Sequence, residues 1–197
     1  MILPIVAYGD PVLKKKTSSI TVGYPNIKSL ILDMYDTMYA ANGVGLAAPQ
    51  IGLSIRLFLV DTKPFSDDES LTDSDRNKLK NFKKTFINPE IIEESGEDWS
   101  FNEGCLSIPG IREDVIRKNQ IKIRFQDENF VEKTEKFDGL IARVIQHEYD
   151  HIEGVLFTDK VSNFKRRLIK SKLASIRKGK VSTDYKMRFP KILKKRF

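Results

Sequence analysis

The chain reads as an α+β domain: antiparallel strands in small sheets packed around one central helix, with a second helix and a basic tail at the C-terminal end. Three observations predict this. Between Asp138 and Gly154, apolar Leu140, Ile141, Val144, Ile145 and Ile152 recur at helical spacing around the string His147-Glu148-Tyr149-Asp150-His151. Before it come short runs rich in β-branched and aromatic residues, at Ile55–Val60, Thr85–Ile92, Trp99–Phe101, Gln120–Gln126 and Phe130–Phe137. The last two are separated only by a turn at Asp127-Glu128-Asn129, which implies a hairpin and therefore antiparallel pairing.

The elements follow in order. Residues 1–14 are expected to be extended, because Pro4 and Pro11 discourage helix. Ile27, Leu30, Ile31, Met34, Met38 and Ala41 predict an amphipathic helix from Asn26 to Ala41, closed by Gly43, with both methionines as core filler. Gly43–Gly52 is expected to be a loop in which small residues allow close backbone approach and Gln50 offers an amide donor. It has no Gly-Lys-Ser/Thr ending, so it is not a phosphate-binding P-loop. Residues 63–84 read as a charged surface insertion with a short helix around Asp75–Phe82. The central helix starts at an Asp138 cap and stops at Gly154. Ser162–Arg177 is a second helix, with Phe164, Leu168, Ile169, Leu173 and Ile176 as its apolar positions. No fold is assigned to Val181–Phe197.

Composition narrows the class. A hydrophobic fraction of 40% and a charged fraction of 31% describe a soluble globular protein, and no apolar run approaches the roughly 20 residues a membrane span needs. The N-terminus lacks the charged region of a signal peptide, so the cytoplasm is the expected compartment. The single cysteine, Cys105, excludes an internal disulfide and fits reducing conditions. Charge is uneven. Residues 161–197 carry 14 Lys or Arg against one acid, Asp184, while residues 1–160 carry 20 against 26 Asp or Glu. A basic segment on an acidic body fits either a polyanionic partner such as RNA or a solubilising extension.

The chemistry starts at His147 and His151, one helical turn apart and so on one face. His-Glu-x-x-His on a helix chelates a divalent metal and leaves the glutamate, here Glu148, near enough to act on a water beside it. These are the only two histidines in the chain. A catalytic metal usually takes three protein ligands, so the third must be a thiolate or a carboxylate. Downstream acids are limited to Glu153, Asp159 and Asp184, none well placed for an internal peptidase of the thermolysin kind. Cys105 is the better candidate. It lies just after a strand, where Gly104 frees the backbone and Pro109 is expected to end pairing.

Gly43-Val-Gly-Leu-Ala-Ala-Pro-Gln50, Glu103-Gly-Cys-Leu-Ser107 and Gln146-His-Glu-Tyr-Asp-His151 resemble, in order, the three signature motifs of the peptide deformylases. Leu3–Pro11 resembles the family's N-terminal strand, and the similarity spans roughly residues 1–165. The resemblance implies a catalytic domain over 1–178, followed by the basic tail 179–197, and removal of the formyl group from the N-terminal formyl-methionine of new polypeptides with release of formate. It implies that Cys105, His147 and His151 bind one divalent metal, Fe2+ by family habit, with Zn2+ or Ni2+ as substitutes. Glu148 would move the proton, Gln50 and the Leu106 N–H would stabilise the oxyanion, and Gly45 would seat the substrate backbone. Val44, Phe101, Leu140, Arg143 and Val144 would line the methionine pocket. Arg143 departs from the isoleucine of many members, and its guanidinium is expected to reach solvent. Glu103 and Arg117 are expected to pair near the metal, and Asp150 to orient a histidine. The expected partners are formyl-methionyl nascent chains and, through the basic segment, the ribosome. No membrane partner is expected, and the protein is expected to be a monomer.

Overall fold

A computed structural model describes residues 1–191 of the chain. Strand β3 (Leu57–Asp61) explains the layers around it. Side chains alternate along a strand, so Leu57 and Leu59 face one way and Phe58 and Val60 the other, and all four are fully buried. Both faces of the sheet are therefore covered. On one, helix α1 (Ile27–Ala40) packs Ile31, Met34 and Met38 with Leu57 and Leu59. On the other, helix α3 (Gly139–Ile152) packs Ile141, Ala142, Val144 and Ile145 with Phe58, Val60, Phe86 and Phe125.

The sheet has five strands in the order β2 (Gly45–Ala47), β3, β4 (Lys83–Cys105), β5 (Ile108–Gln126) and β6 (Glu132–Asp138), every neighbour antiparallel. The α+β class holds. One correction concerns the second sheet: its two strands, β1 (Ile5–Val6) and β7 (Met187–Arg188), run parallel.

Strand β4 unites two runs that the sequence separates. Pro89 has no N–H to offer and Gly96 sits at φ +77°. The ladder absorbs both as register shifts between Ile87 and Glu90 and between Ser95 and Asp98. Pro109 does not end pairing, because β5 begins one residue before it and runs on. Strand β6 starts later than expected, since Phe130 takes a left-handed turn position at φ +60°.

Other local expectations are corrected by tertiary packing. Gly43–Gly52 is not merely a loop: it contains β2 and then a 3-10 turn, Ala48–Ile51. Pro11 opens a 3-10 turn, Pro11–Lys14, beneath Asp10, whose carboxylate accepts the Val12 N–H at 3.0 Å. Helix α2 (Asp73–Lys80) lies within the 63–84 stretch, but Phe65, Leu79 and Phe82 pack on the α3 side of the core, so the stretch is not only surface. After the short α4 (Phe157–Lys160), helix α5 (Asn163–Arg177) is capped by Ser162, whose hydroxyl accepts the Lys165 N–H at 3.3 Å. It buries the narrow stripe Ile169, Leu173 and Ile176, while Phe164 and Leu168 stay 67% and 62% exposed, against expectation.

Gly179 is a backbone turn at φ +72°, and the residues after it pack onto the body. The Ile5 N–H donates to the Lys186 carbonyl at 2.8 Å and the Ala7 N–H to that of Arg188 at 2.9 Å. The remainder of the expected tail, 192–197, lies outside the described residues. Among the described residues, no helix is long and apolar enough to cross a membrane.

Candidate active site

Helix α3 presents His147 and His151 one turn apart, their rings 5.1 Å between centroids and nearly perpendicular at 77°. The last residue of β4 brings Cys105 to them from the sheet side. One donor atom from each of the three residues falls within 4.8 Å of the others, and Cys105 Sγ lies 3.3 Å from His151 Nε2. The three scarce residues of the sequence thus converge on one point.

Behind His147 lies a buried ionic wall. Glu103 accepts from Arg117 through both oxygens, Nε to Oε1 at 2.7 Å and Nη2 to Oε2 at 2.9 Å. Its Oε1 also receives Arg143 Nη1 at 3.0 Å, and its Oε2 lies 2.9 Å from His147 Nδ1. An ionised carboxylate only accepts, so Nδ1 carries the proton and Nε2 is left with its lone pair toward Cys105. Burial works against the Glu103 charge, but Arg117 and His147 overcome it and hold the carboxyl well below its ordinary value. Arg117 is likewise raised: burial opposes its charge, and Glu103 and Asp150 restore it.

This wall corrects two expectations. Asp150 does not orient a histidine; it receives Arg117 Nη1 at 2.6 Å and lies 3.4 Å from Lys160 Nζ. The residue that holds a histidine is Glu103, while His151 Nδ1 is buried without a partner. Arg143 does not reach solvent either. At 2% exposure it turns inward, giving Nη1 to the Val115 carbonyl at 3.1 Å and Nη2 to that of Trp99, its guanidinium 4.7 Å over the Trp99 ring. An arginine at an inward-facing helix position can stay inside only where carbonyls and a carboxylate meet its donors, and here three do. Burial, the main cause, lowers its basicity.

The two histidines differ. Burial opposes charge on His147, yet the sulfur of Cys105 and the Glu103 carboxylate outweigh it and raise its basicity well above an ordinary imidazole. Burial holds His151 well below, helped by His147 and Arg117.

Glu148 sits beside these groups with Oε2 buried and unpartnered. Burial pushes its carboxyl up to about 7. Gly45 makes room for it, since a Cβ there would meet Glu148 Oε1 at 2.4 Å. Gln50 is fixed by its own backbone neighbourhood. Its Oε1 accepts the Ala47 N–H at 2.8 Å, which turns Nε2 toward Cys105 Sγ at 3.6 Å and Ser107 Oγ at 3.5 Å.

A cavity of about 530 Å³ opens on this cluster. Val44, Gly45, Gln50, Phe101, Cys105, Leu106, Arg143, Val144, His147 and Glu148 contribute to its lining. Leu140 does not; it lies one helical turn, about 6 Å, before Val144 on the same face and is half-buried in the core that α3 shares with the sheet. The structure adds residues no local pattern marked: Phe65 from the charged stretch, Pro109 to Arg112 from β5, and Ser182 to Tyr185 from the C-terminal segment. Tyr185 donates its hydroxyl to the Leu106 carbonyl at 2.8 Å, and burial pushes it up to about 12, so it stays a donor.

Comparisons with known proteins agree with this geometry. The family model described as polypeptide deformylase matches residues 2–167. A peptide deformylase of Flavobacterium johnsoniae is 64% identical over 189 residues, 96% of each chain. One from Christiangramia forsetii is 61% identical over 196 residues, 100% of each chain. Among solved structures, a peptide deformylase from Legionella pneumophila superposes with a TM-score of 0.76 at 35% identity, covering 90% of this chain and 96% of that one.

Proposed function

We infer the working parts of the site from one premise: the chain belongs to the polypeptide deformylase family. It is a hydrolase that removes the N-formyl group from newly made polypeptides, releasing formate. We propose that Cys105, His147 and His151 hold one divalent ion. The fit rests on their convergence within 4.8 Å and on Glu103 occupying Nδ1 of His147, which frees the other nitrogen. When bound, the ion supplies Lewis acidity to the formyl carbonyl and to the attacking water. Ferrous iron is the ion proposed on family grounds; zinc and nickel suit two imidazoles and a thiolate as well. Metal analysis of anaerobically prepared protein, paired with activity, discriminates among them.

In this reading Glu148 takes the proton from the attacking water and returns it to the departing methionyl amine. Its support is a buried oxygen without a partner and a carboxyl raised to about 7, where taking and returning a proton cost little. Gln50 Nε2 and the Leu106 N–H stabilise the negative oxygen of the tetrahedral stage. Strand β2 is the edge of its sheet, so the substrate backbone adds beside Gly45 as a further strand. The methionine side chain enters between Val44, Phe101 and Val144, with Arg143 behind. Substituting Arg143→Ile and comparing formyl-Met with formyl-norleucine peptides tests that pocket.

The single observation that carries this reading is Cys105, His147 and His151 meeting beside the unpartnered Glu148. Its test is formate release from a formyl-Met peptide with and without a chelator. Release should stop with chelator and return with metal. Normal metal content in Cys105→Ala would remove the thiolate from the ligand set.

For partners, we propose nascent formyl-methionyl chains and the ribosome, the protein acting as a cytoplasmic monomer. Helix α5 supports the second partner, since Arg167 and Lys170 are exposed on the helix that also exposes Phe164 and Leu168. Ribosome co-sedimentation that ignores salt, or survives reversal of these charges, would count against it.

A further inference from the structure

We propose that Tyr185 is a positioning residue for the hydrolysis: its hydroxyl holds the Leu106–Ser107 turn so that the Leu106 N–H stays fixed at the cavity. The inference rests on the reading of that N–H as an oxyanion donor.

The turn cannot hold itself. Strands β4 and β5 are joined by two residues only, with Cys105 paired to Ile108. Two-residue hairpins favour turn types with φ above zero at the first or at both central residues, which Asn and Gly supply. Among the described non-glycine residues, positive φ occurs at Asn26, Asn42, Asn88 and Phe130, and so not at Leu106 or Ser107. The turn therefore lacks the twist that would match its strands, and the ladder shifts register between Gly104 and Cys105.

Three bonds from elsewhere hold it. Tyr185 Oη donates to the Leu106 carbonyl at 2.8 Å, the Tyr8 N–H donates to the Ser107 carbonyl at 2.8 Å, and Gln50 Nε2 lies 3.5 Å from Ser107 Oγ. Tyr185 and Tyr8 come from opposite ends of the chain. The parallel pairing of β1 with β7 ties those ends together, so the two tyrosines form one clamp. Tyr185 is also half-buried against the α1 side of the core and lines the cavity itself. A donor held in place before reaction spends nothing on reorganisation, and a loosened one loses its effect mainly in the transition state.

The test is Tyr185→Phe in the metal-loaded full chain, with kcat, KM, metal content and thermal midpoint measured together. The expected result is a kcat lower by about five- to tenfold, with KM and metal content within error of the parent and a midpoint lower by no more than about 4 °C. An unchanged kcat overturns the proposal. So does a raised KM with kcat intact, which makes Tyr185 cleft wall only, or a lower midpoint with kcat intact, which makes it structural only. Gln50→Ala separates this from the underlying reading. If it leaves kcat untouched, the oxyanion hole itself is wrong; if it lowers kcat about a hundredfold while Tyr185→Phe does nothing, only the clamp is wrong.

Discussion

Glu103 and Glu148 are both 4% exposed, lie in the same site, and end with opposite character. Glu103 is met by Arg117, Arg143 and His147, and stays charged far into acid. Glu148 has an oxygen with no partner and is pushed up to about 7. Burial is equal, so partners make the difference. A carboxylate surrounded by cations is a fixed strut, whereas one buried with an oxygen unpaired is ready to move a proton.

The largest expected effect breaks the second half of the comparison. Glu148→Gln should lower kcat by about 10²–10⁴ while leaving metal content unchanged, because in the proposed reading it removes proton transfer and nothing that holds the ion. Residual kcat within tenfold of the parent would show that another group moves the proton. The next effect breaks the first half. Glu103→Gln leaves Arg143 buried without an anion and Arg117 with Asp150 alone, and should cost about 3–5 kcal/mol in urea unfolding. Metal affinity should fall with it by about 10–100-fold, since His147 loses the group that fixes its tautomer.

A third experiment sharpens the contrast by sign. In the metal-free chain, folded Glu148 keeps its proton up to about pH 7, while unfolded it loses it near the ordinary 4.5. The folded state binds more protons in that window, so stability falls as pH rises from about 4.5 to 7 and is level above. Glu103 acts in the opposite sense. Its carboxyl is charged when folded and protonates near 4.5 when unfolded, so its contribution is full above that value and is lost as pH falls below it. Relative to the parent, Glu148→Gln should erase a neutral-range decline of up to about 3 kcal/mol. Glu103→Gln should instead flatten the acid side. Parallel pH profiles for the two variants would mean that partners do not set the difference.

The same contrast explains what was legible in the sequence. His147, Glu148, His151 and Cys105 could be read because helical spacing and scarcity leave few alternatives, and the helices over 27–40, 139–152 and 163–177 could be read from period alone. The continuity of β4 could not, since Pro89 and Gly96 look locally like breaks and only the pairing with β5 carries the strand across them. Arg143 was misplaced for a related reason. Exposure is the default for an arginine, and only the carbonyls of Trp99 and Val115 and the carboxylate of Glu103, brought from other strands, make its burial tolerable. Tyr185 belongs to the same class, because its partner lies 79 residues away in sequence. Local chemistry marks the reacting groups, and long-range pairing decides what holds them.

Asp150 gives the smallest and most discriminating test of that last statement. It does not line the cavity; its side chain bonds Arg117 Nη1, and its charge adds a minor push on Glu148. Lys160 shares its charge at the rim. Arg117 also keeps two bonds to Glu103 if Asp150 is neutralised. Asp150→Asn should therefore cost about 1 kcal/mol in unfolding, several-fold less than Glu103→Gln, and change kcat less than twofold. If it matches the Glu103 variant in metal affinity, the wall acts as one cooperative unit in which Arg117 transmits the loss. If it does not, Glu103 alone orients His147, and the outer pair serves only to keep Arg117 charged inside the protein.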